Sequence, residues 1–317
     1  MPSPTLLSRP IHHTGYGLMG LTWTPTPPEI PIAIAAMKAA VDNGANFWNG
    51  GIIYGSPTYN SLHLLRAYFD KYPGDAAKII VRRPSSRKKS TPLSILGGTK
   101  SIDIYETARV DPTLPIETVM STLTPLKKSG KIGGIGLSEC SAATINRAAK
   151  VGQIDVVEVE ASLWSTEIFT NGVAAACAQH GIIVAAYSPL GKGFLTGKVV
   201  APSEFEEGDH RKHMPRFQPG VKGLAERKGV QPSQLALAWV RAQGRKGDNP
   251  VMVPIPGSTS VERIRENLAA VELTDGEVEE LDALVKEHTI TGGRYPEQFA
   301  KLCFGDSVTL EEWNKKG

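Results

Sequence analysis

The sequence predicts an eight-stranded β/α barrel, and three features carry that prediction. Short apolar runs rich in Val and Ile recur along the chain, and helically spaced segments alternate with them. The runs are continuous rather than alternating, the pattern of strands buried on both faces of a parallel sheet with helical crossovers. Polar strand-end segments are scattered through the whole chain, whereas an open doubly wound sheet would gather them at one switch point.

The elements follow in order. Ala45 to Trp48 is an apolar run that passes straight into Asn49-Gly50-Gly51-Ile52-Ile53-Tyr54-Gly55, a glycine-softened loop presenting one phenol. Further strands are expected at Ile79–Val81, Ile102–Tyr105, Ile132–Leu137, Val156–Val159, Ile182–Tyr187 and Val251–Ile255. Helical patterns occupy Ile116–Lys128, Ala142–Lys150, Asn171–His180, Pro232–Ala242 and Val261–Val271. Ser141 and Ser260 stand where a hydroxyl can accept the orphan N–H groups of a first helical turn. No linker divides these units, so residues 1–317 read as one domain.

Composition narrows the function. Hydrophobic content of 41% and charged content of 21% fit a globular protein with a sizeable core. A net charge of +3 is too small to argue for nucleic acid or an anionic membrane. Cys140, Cys177 and Cys303 are far apart and form no CxxC, as expected of reduced intracellular thiols. The histidines share no ligand spacing, so no metal is expected. No apolar stretch approaches about 18 residues, and the N-terminus lacks a signal-peptide core. The expectation is a cytoplasmic protein with no membrane or nucleic-acid partner.

Two stretches break the rhythm. Arg82-Arg83-Pro84-Ser85-Ser86-Arg87-Lys88-Lys89-Ser90 is basic where a strand and its helix belong, and reads as a solvated loop. Phe217-Gln218-Pro219-Gly220 joins abruptly to the segment starting at Val221.

Four segments besides Tyr54 carry candidate chemistry. Gly191-Lys192-Gly193 follows a strand; it lies too late for a Rossmann fingerprint, but suits a turn whose N–H groups cradle phosphate. Tyr187-Ser188-Pro189-Leu190-Gly191 offers an aromatic face beside a turn, and reads equally as a core tyrosine followed by an ordinary turn. Ser258-Thr259-Ser260 leads into a helix bearing Arg263, Glu266 and Asn267, either an anion site of phosphate size or capping serines beside a surface arginine. Ser138, Glu139, Glu158 and Glu160 sit at adjacent strand ends, where carboxylates bind an amide, do acid–base work or pair along the rim.

Taken in order, Gly15-Tyr16-Gly17-Leu18-Met19-Gly20-Leu21-Thr22-Trp23, Asn49 to Gly55, Ile135-Gly136-Leu137-Ser138-Glu139, Tyr187 to Gly191 and Pro254-Ile255-Pro256-Gly257 resemble an aldo-keto reductase, most closely the pyridoxal reductase-like branch. The likeness covers nearly the whole chain, including Ala108-Arg109-Val110-Asp111-Pro112 and Arg294-Tyr295-Pro296.

That resemblance implies a (β/α)8 barrel binding NADP(H) at its C-terminal face. It implies Tyr187 stacked on the nicotinamide, with Ser138, Glu139 and Glu158 around its carboxamide. Ser188, Leu190, Gly191 and Gly193 would line the pyrophosphate, and Ser258, Arg263, Glu266 and Asn267 the adenosine 2′-phosphate end. Trp23 and Asn49 would border a pocket for a small carbonyl substrate, and Tyr54 would protonate its oxygen. Asn49 and Ala108 replace an aspartate and a histidine of the wider family, both compatible with this branch. The family's lysine, due at the end of the strand starting at Ile79, is not found. The chain reads Arg82-Arg83-Pro84 there and rejoins the pattern at Ser94, so the strand 3/helix 3 region is shortened and that strand end is expected to be lost. A shorter loss follows Pro219. A tyrosine ordinarily ionises near pH 10 and a neighbouring ammonium lowers that, so the missing lysine leaves a second reading, an NADP(H)-binding homologue with little or no catalysis.

Overall fold

The computed structural model describes residues 2–85, 95–196, 221–287 and 293–315. A short antiparallel hairpin, β1 (Thr5–Leu6) and β2 (Arg9–Pro10), precedes eight parallel strands. These are β3 (Tyr16–Gly17), β4 (Phe47–Asn49), β5 (Ile80–Ser85), β6 (Ile104–Thr107), β7 (Gly134–Ser138), β8 (Val156–Glu160), β9 (Ile183–Tyr187) and β10 (Met252–Pro254). Each pairs with the next in sequence, an order that curls the sheet toward a barrel.

The first and last strands meet across the seam. Gly15 N–H donates to the Pro254 carbonyl at 2.9 Å and Gly17 N–H to the Pro256 carbonyl at 3.0 Å. Pro254 and Pro256 have no N–H to return, so the seam's bonds run in one direction only. Close approach requires glycine here: a Cβ on Gly17 would lie 2.8 Å from the Ile255 carbonyl oxygen. The Tyr16 phenol adds a bond to the Ser258 carbonyl at 2.6 Å.

Inside the barrel, side chains alternate along each strand with period two. Phe47, Ile80, Ile104, Val156 and Ile183 pack with Val253, and Leu6 and Ile11 from the hairpin join them, plugging the end where the strands begin. Two residues further along, the same inward face turns polar: Asn49, Arg82, Glu106 and Glu158, all buried. The change from an apolar plug to a polar layer is what positions a site at the strands' C-terminal ends. Helices cover the outside, packed on two further apolar clusters.

Most expected elements lie where their patterns put them. Ser141 accepts the Thr144 N–H at 3.1 Å and Ser260 the Arg263 N–H at 3.3 Å, capping helices Ala142–Ala149 and Val261–Leu268. The second ends three residues earlier than its pattern suggests, and the Val271 carbonyl is taken by the Arg241 guanidinium at 2.6 Å instead.

The strand expected to be lost is present. β5 continues through Ser85, paired with β4 from Ile80 to Arg82 and with β6 from Arg82 to Ser85, so the shortening falls after it. Arg82, assigned to a solvated loop by its basic neighbours, is instead fully buried, because strand pairing carries it inward against two carboxylates. Lys88, Lys89 and Phe217–Gly220 lie outside the described residues. Among the described residues, no helix is long and apolar enough to cross a membrane, no group of His, Cys, Asp and Glu could hold a metal, and the three cysteines are free.

The seam gives a test of closure. Gly17→Ala should lower unfolding stability by about 1–3 kcal/mol through overpacking. Gly20→Ala, whose Cβ would meet nothing within 4 Å, should not. Equal denaturation midpoints for both variants would contradict the close seam.

Candidate active site

The loop after β4 is tied down before it reaches Tyr54. Gly50 N–H donates to the Arg82 carbonyl at 3.1 Å, and the Ser61 hydroxyl bridges Gly51, accepting its N–H at 2.8 Å and donating to its carbonyl at 2.9 Å. The Tyr54 carbonyl accepts the Thr22 hydroxyl at 2.7 Å and the Ser61 N–H at 3.1 Å. Tyr54 is 8% exposed, whereas Trp23, stacked on it at 6.0 Å between ring centroids, is 56% exposed. A sheltered phenol thus stacks against an open indole.

The polar layer includes Asn49, at the end of β4. The Asn49 amide donates to Glu158 at 2.7 Å, and Arg82 forms ion pairs with both Glu106 and Glu158. The Asn49 side-chain oxygen, Oδ1, is buried and finds no partner among the described residues. Burial pulls the Arg82 guanidinium down to about 9, Tyr54 acts in the opposite sense and Arg109 in the same sense as burial. That value is well above neutrality, so Arg82 keeps its charge.

A second charged cluster spans the ends of β7 to β9. Glu139 adopts φ +50°, a left-handed conformation costing about 1–2 kcal/mol for a residue with a side chain. The surroundings hold it there: its carboxylate accepts two bonds from Arg294, at 2.9 and 2.8 Å, and one from the Tyr187 phenol at 2.8 Å. The Glu160 and Phe304 N–H groups donate to it at 3.1 and 3.2 Å. Tyr295 OH donates to the Tyr187 oxygen at 3.1 Å, and Lys192 lies 4.0 Å from the Tyr295 ring centroid and 3.4 Å from Glu160. Arg294 and Tyr295 thus bring the C-terminal segment across the strand ends.

Burial alone would raise the Glu139 carboxyl, but Arg294, Tyr187 and the Glu160 amide outweigh it and hold the group below the usual range. Glu160 goes the other way, raised by burial that Lys192 and Arg294 offset only in part.

The expected residues fall into four groups. Trp23 stacks on Tyr54 and Asn49 bonds Glu158, with Ser138 beside Glu158 in the β7–β8 register and hydrogen-bonded to Arg109 at 2.9 Å. Glu139 and Tyr187 belong to the Arg294 cluster. In the turn after β9, Ser188, Gly191 and Gly193 all have positive φ, beside half-buried Leu190. The helix Val261–Leu268, after the neighbouring strand β10, carries exposed Arg263, half-buried Glu266 and buried Asn267, and Ser258 accepts the Ser260 N–H at 3.1 Å. Glu139's oxygens are committed to protein partners, Tyr187 among them, so it presents no open carboxylate.

Sequence reading missed the inward placement of Arg82, Glu106, and the pairing of Arg294 with Glu139. The signal for Arg82 was its spacing of two from Ile80; the signal for Glu106 was the same spacing from Ile104.

A model of the aldo/keto reductase family matches residues 91–286. A Schizosaccharomyces pombe protein named "Probable pyridoxal reductase 2" is 36% identical over 318 residues, covering 90% of this chain and 94% of its own. The "Aldo-keto reductase yakc [NADP(+)]" of the same organism is 33% identical, covering 93% and 95%. Among solved structures, a glycerol dehydrogenase from Gluconobacter oxydans superposes with a TM-score of 0.75 at 20% identity, over 92% of this chain and 97% of that one. An aldo-keto reductase from Klebsiella pneumoniae in complex with NADPH gives 0.71 at 20% identity, over 92% and 100%.

The Glu139–Arg294 pair predicts a pH dependence. A carboxyl depressed on folding contributes stability above its unfolded pKa, near 4.3, and loses it as pH falls through the folded value. Glu139→Gln should therefore cost roughly 3 kcal/mol at pH 7 by leaving Arg294 underpaired, and should flatten the stability profile below about pH 4. A variant as stable as the parent at pH 7, with an unchanged acid limb, would contradict the assignment.

Proposed function

The chain belongs to the aldo/keto reductase family, and from that premise we propose that it uses NADPH to reduce a small aldehyde or ketone, pyridoxal-like in class, with Tyr54 delivering the proton. The observation that carries this reading is the sheltered Tyr54 phenol stacked against the open Trp23 ring, on the loop that follows the buried Asn49 at the end of β4.

The residues present fit the cofactor. The unpartnered Asn49 side-chain oxygen is an acceptor awaiting an N–H or O–H donor from a ligand. The turn at Ser188, Gly191 and Gly193 takes left-handed conformations, and its Gly191 and Gly193 N–H groups are donated to the Ser188 and Leu190 carbonyls at 2.9 and 3.0 Å, so it suits phosphate by close backbone approach and not by free donors. Arg263, exposed in the first turn of its helix, suits a phosphate through the guanidinium fork. On this reading Tyr187 offers its face to the nicotinamide, and Ser138 and Glu158 lie by its carboxamide. Ser188, Leu190, Gly191 and Gly193 hold the pyrophosphate; Ser258, Arg263, Glu266 and Asn267 hold the 2′-phosphate end. NADPH, when bound, supplies the hydride.

The chain's own residues do the rest. The Tyr54 hydroxyl gives its proton to the carbonyl oxygen as that oxygen gains charge, and regains one from water afterwards. Trp23 walls the pocket and excludes water from one side. Glu139 holds Tyr187 from below through the phenol hydrogen bond, fixing the ring's orientation without touching a ligand. Asn49, tied to Glu158, sets the pocket floor.

Two measurements check the reading. Tyr54→Phe should reduce kcat/KM for NADPH oxidation against a panel of aldehydes, pyridoxal included, by roughly 10²–10⁴-fold while NADPH binding persists. If the wild-type chain binds NADPH yet turns over none of the panel, the non-catalytic alternative is supported; turnover indifferent to the substitution removes Tyr54 as donor. Arg263→Ala should weaken NADPH on the order of 10- to 100-fold, the loss of a charge-assisted contact, with little effect on NADH. Equal losses for both nucleotides would exclude a 2′-phosphate role.

A further inference from the structure

We infer that Arg109 selects an anionic carbonyl substrate, one whose carboxylate or phosphate docks on the open edge of its guanidinium at the strands' C-terminal ends. The inference rests on the reading of the site as a carbonyl reductase and names the class of substrate it takes.

The strands fix where Arg109 reaches. It stands two residues past Thr107, the last residue of β6, and is exposed. Along β7, Ile135 and Leu137 pack outward among the helices. Gly136 and Ser138 therefore fall on the inward face, and a Cβ on Gly136 would lie 3.0 Å from the Glu106 carboxylate. Ser138, buried at the end of β7, lies beside Glu158 in the strand register. Arg109 Nη1 donates to the Ser138 hydroxyl oxygen at 2.9 Å. An exposed arginine thus turns its head inward, onto a buried hydroxyl of the barrel's inner face.

Hydrogen bonding leaves one edge of that head open. Nη1 carries two N–H groups, and two acceptors take them: the Ser138 hydroxyl oxygen and the Ala108 carbonyl, the latter at 2.6 Å. The Nε and Nη2 groups make no hydrogen bond among the described residues. Together they form the fork that receives a carboxylate or phosphate through two parallel bonds. The bonds to Ser138 and Ala108 hold the guanidinium from its other side, so part of the ordering cost is met before a ligand arrives.

Charge points the same way. The neighbouring carboxylates already have cations: Glu106 and Glu158 share Arg82, Glu139 takes Arg294, and Glu160 lies by Lys192 and Arg294. Among the described residues, none is within ion-pairing distance of Arg109. Its charge opposes the rise that burial gives the Tyr187 and Tyr295 phenols, and adds to the fall that burial gives Arg82. The dinucleotide's phosphates are assigned to the turn after β9 and the helix after β10, whereas Arg109 follows β6, three strands from β9 in the sheet. An anion on the substrate is the one left to meet the fork.

The measurement is a ratio, kcat/KM for an anionic carbonyl compound divided by that for a neutral counterpart. Two sets of pairs separate carboxylate from phosphate: the formylbenzoates against the matching tolualdehydes, whose ortho, meta and para isomers vary the reach, and pyridoxal phosphate against pyridoxal. In the parent chain the anionic member should be preferred in at least one pair. Arg109→Met should lower that ratio by on the order of 10- to 100-fold, the loss of a charge-assisted contact. Arg109→Lys, which keeps the charge without the fork, should fall between the two. The set that responds identifies the anion. Calorimetric titration of the NADP+-loaded protein with the same compounds reads the same ratio as affinity, with no turnover needed. A parent chain that prefers the neutral member of every pair, or ratios unchanged by Arg109→Met, would overturn the inference and leave a Tyr54-dependent reductase standing. Absence of turnover with every compound would instead defeat the underlying reading, and the affinity ratios would then judge Arg109 alone.

Discussion

A guanidinium taken wholly out of water must have counter-charges within reach, and that requirement organises the centre of this barrel. Desolvating such a group costs several kcal/mol even after relaxation. Arg82 meets the cost with Glu106 and Glu158, drawn from two other strands. Glu158 in turn takes the Asn49 amide, and the Arg82 carbonyl takes the start of the Tyr54 loop. One buried cation therefore links four strands and the loop carrying the phenol. The inner face of β5 could not turn from apolar to charged at Arg82 unless β6 and β8 changed with it.

The second charged cluster does different work. Glu139 sits in a left-handed conformation, and Arg294, from the far end of the chain, is its main counterweight. Their contact brings the C-terminal segment onto the strand ends and fixes Tyr187 and Tyr295 by a short chain of hydrogen bonds. The Glu139 carboxylate is satisfied internally, which separates it from the Asn49 side-chain oxygen, buried with no partner among the described residues.

The barrel was legible in the sequence because its strands are apolar on both faces, a signal that needs no knowledge of partners. The strand ends were legible for the same reason: Ser138 follows and Tyr187 closes an apolar run, and Glu158 interrupts one just before its end. What escaped was the inside of β5. Arg82 opens a run of basic residues, and local charge density outweighed a spacing of two from Ile80 that only the paired strands make meaningful. Arg294 was visible as a family-like tripeptide without a role, because its partner lies 155 residues away. Pairings over such distances leave no local trace.

The central claim is that Tyr54 delivers the proton in an NADPH-dependent carbonyl reduction. Single-turnover oxidation of enzyme-bound NADPH on mixing with an aldehyde tests it most directly. If the claim holds, Tyr54→Phe will slow that step by roughly 10²–10⁴-fold with NADPH binding unchanged. Equal single-turnover rates in the two proteins would contradict it.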